Sequence, residues 1–265
     1  MGYSIIHIVK NREITYRNGI TDDEISRIKT NLDYLREVMI EIDYCSMVRG
    51  NVLDFLKDTE SNGAGTEGNF VRLNRYMLNW LGAFYAWIEY HERYHKTVFS
   101  SLKKKYYDNN FEYRFAYTLR KFSTHQAMCI NRIHFDVLKE STVFQIGINN
   151  ILSYKSELKK DVCRELETMA DKSNYIDAVD FTCRFITMFE QMQEELWLQM
   201  KASYLERIHN VLSSVQEKSW PLVESYICDE DGEVNIPVGM SIHQFIDKTK
   251  SMIIPDQLVP YLIKN

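Results

Sequence analysis

The sequence predicts a mainly α-helical fold with small β additions, on three observations. All four prolines (Pro221, Pro237, Pro255, Pro260) fall in the last 45 residues, so no ring interrupts a helix before them. Apolar residues recur at spacings of three and four through most of the first 215 positions. Only two short stretches, about 130–148 and 223–238, carry strand and turn signals instead.

The elements follow in order. Thr21 with Glu24 three residues on is a capping box, hydroxyl at the cap and carboxylate behind it. Ile25, Ile28, Leu32, Leu35, Met39 and Ile42 then form one apolar stripe on a helix reaching about Leu56. A polar, Gly-rich stretch from Asp58 to Asn69 separates it from a second stripe: Leu73, Met77, Trp80, Leu81, Phe84, Trp87 and Ile88. This second helix is expected to reach about Leu102, closed by Lys103, Lys104 and Lys105 at its negative end. Asp108 or Asn109 is expected to cap a third helix carrying Phe111, Phe115, Leu119 and Phe122.

Between 130 and 148 the period changes to two. Ile133, Phe135 and Val137 alternate with Arg132, His134 and Asp136, and Phe144, Ile146 and Ile148 repeat the pattern, which predicts a β-hairpin. Helical period returns with Ile151, Leu158, Val162, Leu166 and Met169, and again from Val179 through Leu196 to about Val215. In the tail, Asp231-Gly232 is a favoured two-residue turn between strands near 223–228 and 233–238, and Ser241 with Gln244 caps a last short helix. These patterns predict a helical domain over 1–220, with its hairpin at about 130–148, and a small extension over 221–265.

Composition bounds the function. With 45% hydrophobic and 26% charged residues in 265, the chain can build a sizeable core, and neither a disordered nor a collagen-like class fits. A formal charge of −5 excludes a globally basic nucleic-acid binder, so any such contact needs a local patch. Five cysteines without CxxC spacing suggest buried thiols in a reduced compartment. The start lacks the apolar run of a signal peptide, and the longest apolar stretch, Met77 to Ile88, is too short to span a bilayer. A cytoplasmic protein without membrane contact is expected.

Three motifs carry possible chemistry. Gly63, Gly65 and Gly68 match GxGxxG, but a dinucleotide loop needs a preceding strand, and a helix end precedes this one. His91, Glu92 and His95 match HExxH, which on a helix would put two imidazoles on one face for zinc. The charged Arg93 and the lack of a third ligand at metzincin spacing favour a polar helix face. No metal or cofactor is expected. Arg120 and His125 form an Arg-x4-His pair. An imidazole can exchange a proton with a ribose hydroxyl, and a guanidinium can hold a phosphate by two parallel hydrogen bonds. Five residues apart on a helix they point about 140° from each other. They converge in one chain only if the helix ends or bends between them, for which Ser123 and Thr124 are suitable residues. A dimer pairing two sites would also bring them together. From Lys103 to Lys121, six Lys or Arg stand against Asp108 and Glu112, with Tyr106, Tyr107, Tyr113 and Tyr117 interleaved as possible stacking partners for bases.

The ordered blocks Leu73 to Leu81, Glu89-Tyr90-His91, Tyr107 to Phe115 and Leu119 to His125 resemble those of bacterial Abi-like proteins of the HEPN superfamily. The resemblance covers roughly 20–215. It implies a HEPN-like helical bundle and a metal-independent endoribonuclease that works as a homodimer in abortive infection, toxin–antitoxin or other antiviral defence. Arg120 and His125 then take the catalytic positions. Asn74, Arg75, Tyr113 and Arg114 match the blocks before the motif, and Lys121 with Lys103, Lys104 and Lys105 would draw in RNA. An antitoxin or another subunit of a defence complex is a possible partner. Lys121 stands where active members commonly carry Asn, Asp or His. That departure favours a second expectation, an inactive helical module that binds a partner protein or a nucleotide.

Overall fold

The computed structural model describes residues 3–8, 14–61, 67–136, 141–215, 225–228, 234–236, 244–245, 247–248 and 259–262. It is mainly helical. Among these residues are seven α-helices: α1 (Asp22–Ser61), α2 (Glu67–Tyr94), α3 (Lys96–Asn109), α4 (Phe111–His125), α5 (Ile148–Leu152), α6 (Lys160–Ala170) and α7 (Ala178–Val215). Seven strands join them: β1 (Tyr3–Ile8), β2 (Ile14–Ile20), β3 (Ile130–Asp136), β4 (Ser141–Gly147), β5 (Tyr175–Asp177), β6 (Ser225–Cys228) and β7 (Val234–Ile236). The chain divides into two compact units, Met1–Asp43 with Trp197–Ile253, and Tyr44–Leu196 with Ile254–Asn265. The boundary expected at 220 is not where this division falls, because β6 of the tail pairs with β1 of the N-terminus.

In the first unit the capping box closes as expected. The Thr21 N–H donates to Glu24 Oε2 at 3.0 Å, and the Glu24 N–H donates to Thr21 Oγ1 at 3.2 Å. The start of α1 meets the end of α7 through Tyr34 and Tyr204, ring centroids 5.8 Å apart, and the Tyr204 hydroxyl donates to Glu41 Oε2 at 3.1 Å. Here too is an antiparallel sheet in the order β2-β1-β6-β7, with Ile5 opposite Arg17 on one side and Ile227 on the other. Sequence reading placed β6 and β7 but missed β1 and β2. The Asp231-Gly232 turn and the Ser241 cap lie outside the described residues.

The second unit is built on aromatic stacking between α2 and α7. Trp80 stacks on Phe185 at 4.3 Å, Trp87 meets Phe189 edge-on at 5.2 Å, and Phe84 touches Phe185 edge-on at 5.0 Å. The apolar spacing of α2 puts all three of its rings on one stripe, as the sequence predicts. From α4, Tyr113 and Phe115 join that core, and from α3, Phe99. The second expected helix is two. The chain leaves helical geometry at His95 (φ −126°, ψ 30°), while the His95 N–H still bonds the His91 carbonyl at 2.9 Å, and α3 starts immediately after. Lys103, Lys104 and Lys105 therefore sit inside α3 instead of closing a helix. Asn110, and neither Asp108 nor Asn109, stands at the N-cap of α4.

The predicted hairpin is β3 and β4, extended by β5 into an antiparallel sheet in the order β3-β4-β5. Gly147 ends β4, and an added Cβ there would lie 2.8 Å from Asn131 Nδ2. The Asn131 Oδ1 accepts the Gly147 N–H at 3.0 Å, so the close approach holds a hydrogen bond in place.

A tyrosine-lined cationic cleft as the candidate functional site

Amphipathic period makes α4 run unbroken to His125. Ser123 and Thr124 do not end it: their hydroxyls both donate back to the Arg120 carbonyl at 3.0 Å, within the helix. The positions of Arg120 and His125 are thus one helix, about 140° apart around its axis. No bend joins them in one chain.

Arg120 lies in a cleft of about 350 Å³, with walls from α2, α3, α4 and the segment that leads into α6. Its guanidinium carbon stands 3.9 Å from the centre of the Tyr85 ring. A guanidinium held over a ring can still donate its N–H groups to an anion. Tyr107, Tyr117 and Thr118 line the same cleft, with Lys121, Glu157 and Lys159 at its rim. The Tyr85 and Tyr117 rings sit 5.4 Å apart. Lys159 places its ammonium 4.1 Å from the Tyr107 ring centre.

The charges of the cleft divide into two kinds. Arg114 is bound to both oxygens of Glu165 and to the Tyr107 carbonyl, so its charge is compensated. Lys121 donates to the Glu157 carbonyl at 3.0 Å, and its ammonium is 3.9 Å from that residue's carboxylate. Arg120 and Lys159, in contrast, have no carboxylate within ion-pair distance among the described residues. Asp161 feels the field of Lys159. Burial raises the Asp161 carboxyl, but the Tyr107 hydroxyl, the Val162 N–H and Lys159 together hold it below its ordinary range.

The phenols are held as neutral donors. A hydrogen bond with Glu89, then burial and Tyr117, push the Tyr85 hydroxyl well above its ordinary value; burial and then Asp161 do the same for Tyr107. Neither phenol can serve as a base near neutrality, and each ring has a cation standing over it.

The remaining expected site residues sit elsewhere. Asn74 is buried and joins α2 to β3: its Nδ2 donates to the Ile130 carbonyl at 2.9 Å, and its Oδ1 accepts the Ile130 N–H at 2.9 Å. Arg75 is exposed, 5.4 Å from the Tyr76 ring. Tyr113 is fully buried beside Phe84, and burial drives its hydroxyl far up. Tyr106 is buried too and donates to Glu195 at 3.1 Å. Only Tyr107 and Tyr117 of the four interleaved tyrosines face the cleft. The three lysines of α3 are each ion-paired: Lys103 with Glu92, Lys104 with Asp108 at 3.1 Å and Lys105 with Glu195 at 2.7 Å. Asp108 belongs to the same stretch, while Glu92 and Glu195 bring further negative charge to Lys103 and Lys105 from α2 and α7.

The HExxH residues take different surroundings. His91 is buried, with Nδ1 2.7 Å from the Trp87 carbonyl and its ring against Trp87 and Phe99, and His95 is no longer helical. No group of three potential metal ligands occurs among the described residues. Of the glycine motif, Gly63 and Gly65 lie outside them. No described helix is long and apolar enough to cross a membrane.

Sequence reading found Arg120, Lys121, Tyr107, Tyr117 and Arg114 and missed Tyr85, Thr118, Glu157 and Lys159. The only local signal for Lys159 is its place in a Lys159-Lys160 pair just before a helical stripe. In comparisons with known proteins, no family model, no curated protein and no solved structure matches the chain.

Proposed function

We propose that this protein is a metal-independent endoribonuclease that acts on RNA held in the Arg120 cleft. The observation that carries the proposal is Arg120 itself, over the Tyr85 ring in an open cleft and, among the described residues, with no carboxylate within ion-pair distance. Tyrosine faces and an uncompensated cation are the two elements that unpaired nucleotides use. In the reaction, a ribose 2′-oxygen attacks the adjacent phosphorus while the bond to the 5′-oxygen breaks. His125 takes the 2′-hydroxyl proton, and the departing 5′-oxygen takes a proton from water, leaving a 2′,3′-cyclic phosphate. Arg120 stabilises the charge that builds on the phosphorane.

On this reading Arg120 of one chain and His125 of a second act on one phosphodiester in a homodimer; the continuity of α4, which sets the two positions of one chain about 140° apart, supports it. A role in phage defence or with an antitoxin belongs to the same proposal and rests on the HEPN-like motif order. The unbroken helix also favours a second reading, a module that binds nucleotide in the cleft and performs no chemistry.

End-labelled RNA incubated with purified protein in EDTA separates the two. Cutting by wild type, lost in folded His125→Ala and Arg120→Ala proteins, is the expected result. Cutting that EDTA abolishes, or that His125→Ala retains, refutes the mechanism. RNA that binds but stays intact points to the module.

A further inference from the structure

The cleft carries two cationic stations of one design on separate elements. Arg120 of α4 stands over Tyr85, and Lys159, at the N-cap of α6, stands over Tyr107. Arg114 and Lys121 of the same cleft are ion-paired with Glu165 and Glu157; among the described residues Arg120 and Lys159 have no carboxylate within ion-pair distance, though Lys159 is near enough to lower the Asp161 carboxyl. A single phosphate needs only one such station. Two, in a cleft of about 350 Å³ that Tyr85, Tyr107 and Tyr117 also line, match a ligand that carries an anion at each end of an aromatic body.

We infer that the cleft holds one internal nucleotide of an RNA strand, with its two flanking phosphates on Arg120 and Lys159 and its base against the tyrosines. The inference rests on the reading of the cleft as an RNA site and adds Lys159 as a binding residue. An internal nucleotide meets both cations, whereas a terminal nucleotide with one phosphate meets one. The cleft therefore discriminates by the number of phosphates on the ribose, before any cutting occurs.

The test uses calorimetric titration of the full chain with adenosine 3′,5′-bisphosphate, adenosine 5′-monophosphate, adenosine 3′-monophosphate and inorganic pyrophosphate. The expected result is that the bisphosphate binds about tenfold more tightly than either monophosphate, the worth of one added charged contact. Lys159→Gln, at an exposed position, brings the bisphosphate to within about twofold of the tighter monophosphate. Equal affinities in the wild type, no effect of Lys159→Gln, or no binding of any nucleotide overturns the inference. Pyrophosphate bound as tightly as the bisphosphate overturns the part played by the base. Binding does not require cutting. A protein that prefers the bisphosphate yet leaves RNA intact keeps this inference and loses the ribonuclease, and the converse result does the reverse.

Discussion

Replacing Asn74 tests whether the polar block on α2 builds the fold or touches a substrate. β3 is an edge strand of its sheet, and its register shifts between Ile130 and Arg132. In extended backbone the N–H and C=O of one residue point the same way, so Ile130 offers both to whatever lies at that edge. The Asn74 carboxamide supplies one acceptor and one donor, each at 2.9 Å, from a side chain only 2% exposed. Asn74→Ala strands both backbone groups in the interior. At about 1–3 kcal/mol for each buried group left unsatisfied, and with some relaxation around the smaller side chain, the expected loss is about 3 kcal/mol. Urea unfolding followed by tryptophan fluorescence reads it directly. Asn74→Asp sharpens the test, because its carboxylate would face the Ile130 carbonyl near neutrality and regain a donor when protonated. Its deficit against wild type is expected to shrink as the pH is lowered toward about 4. A loss under about 1 kcal/mol for Asn74→Ala, or a deficit of Asn74→Asp that ignores pH, would refute the reasoning.

Two further perturbations probe the second unit. Arg49 and Glu190 form a bidentate pair at 4% and 6% exposure, so Arg49→Met strands a buried carboxylate and costs about 3–5 kcal/mol, whereas Arg49→Met with Glu190→Met costs far less. Denaturant midpoints of the single and double variants check this, and equal values contradict it. Burial pushes the Cys129 thiol from 9.0 to about 12, against a weaker opposing effect of Ser123. The folded chain keeps a proton there that the unfolded chain releases. This contribution is therefore intact below about pH 9 and is lost as the pH climbs toward 12. Stability measured from about pH 8 to 10 should fall more steeply for wild type than for Cys129→Ala; parallel curves would show that the thiol plays no such part.

The long helices were legible because their apolar stripes exceed anything a loop would carry, and the capping box marked where α1 begins. The hairpin was legible for the opposite reason: Ile133, Phe135, Phe144 and Ile146 break the helical period with alternation. What escaped was set by distant parts of the chain. β1 and β2 join β6 and β7 from the far end of the sequence, and β5, three residues long, exists only because β4 offers an edge. The break at His95 escaped because the hydrogen-bond ladder continues across it, with no proline or glycine to mark it.

The site shows the same limit more sharply. An Arg-x4-His spacing identifies Arg120, yet its character comes from Tyr85, a turn of α2 that local sequence reads only as helix. The lysines of α3 invited the opposite error. As a string they are strongly basic; Asp108 lies in the same helix, and folding places Glu92 and Glu195 against them as well. Such surface pairs add little to stability, but they dilute the field that a phosphate would meet. Electrostatic reach toward a substrate therefore depends on which cations the fold leaves without a carboxylate. Among the described residues of this cleft those are Arg120 and Lys159, of which the sequence advertised only one.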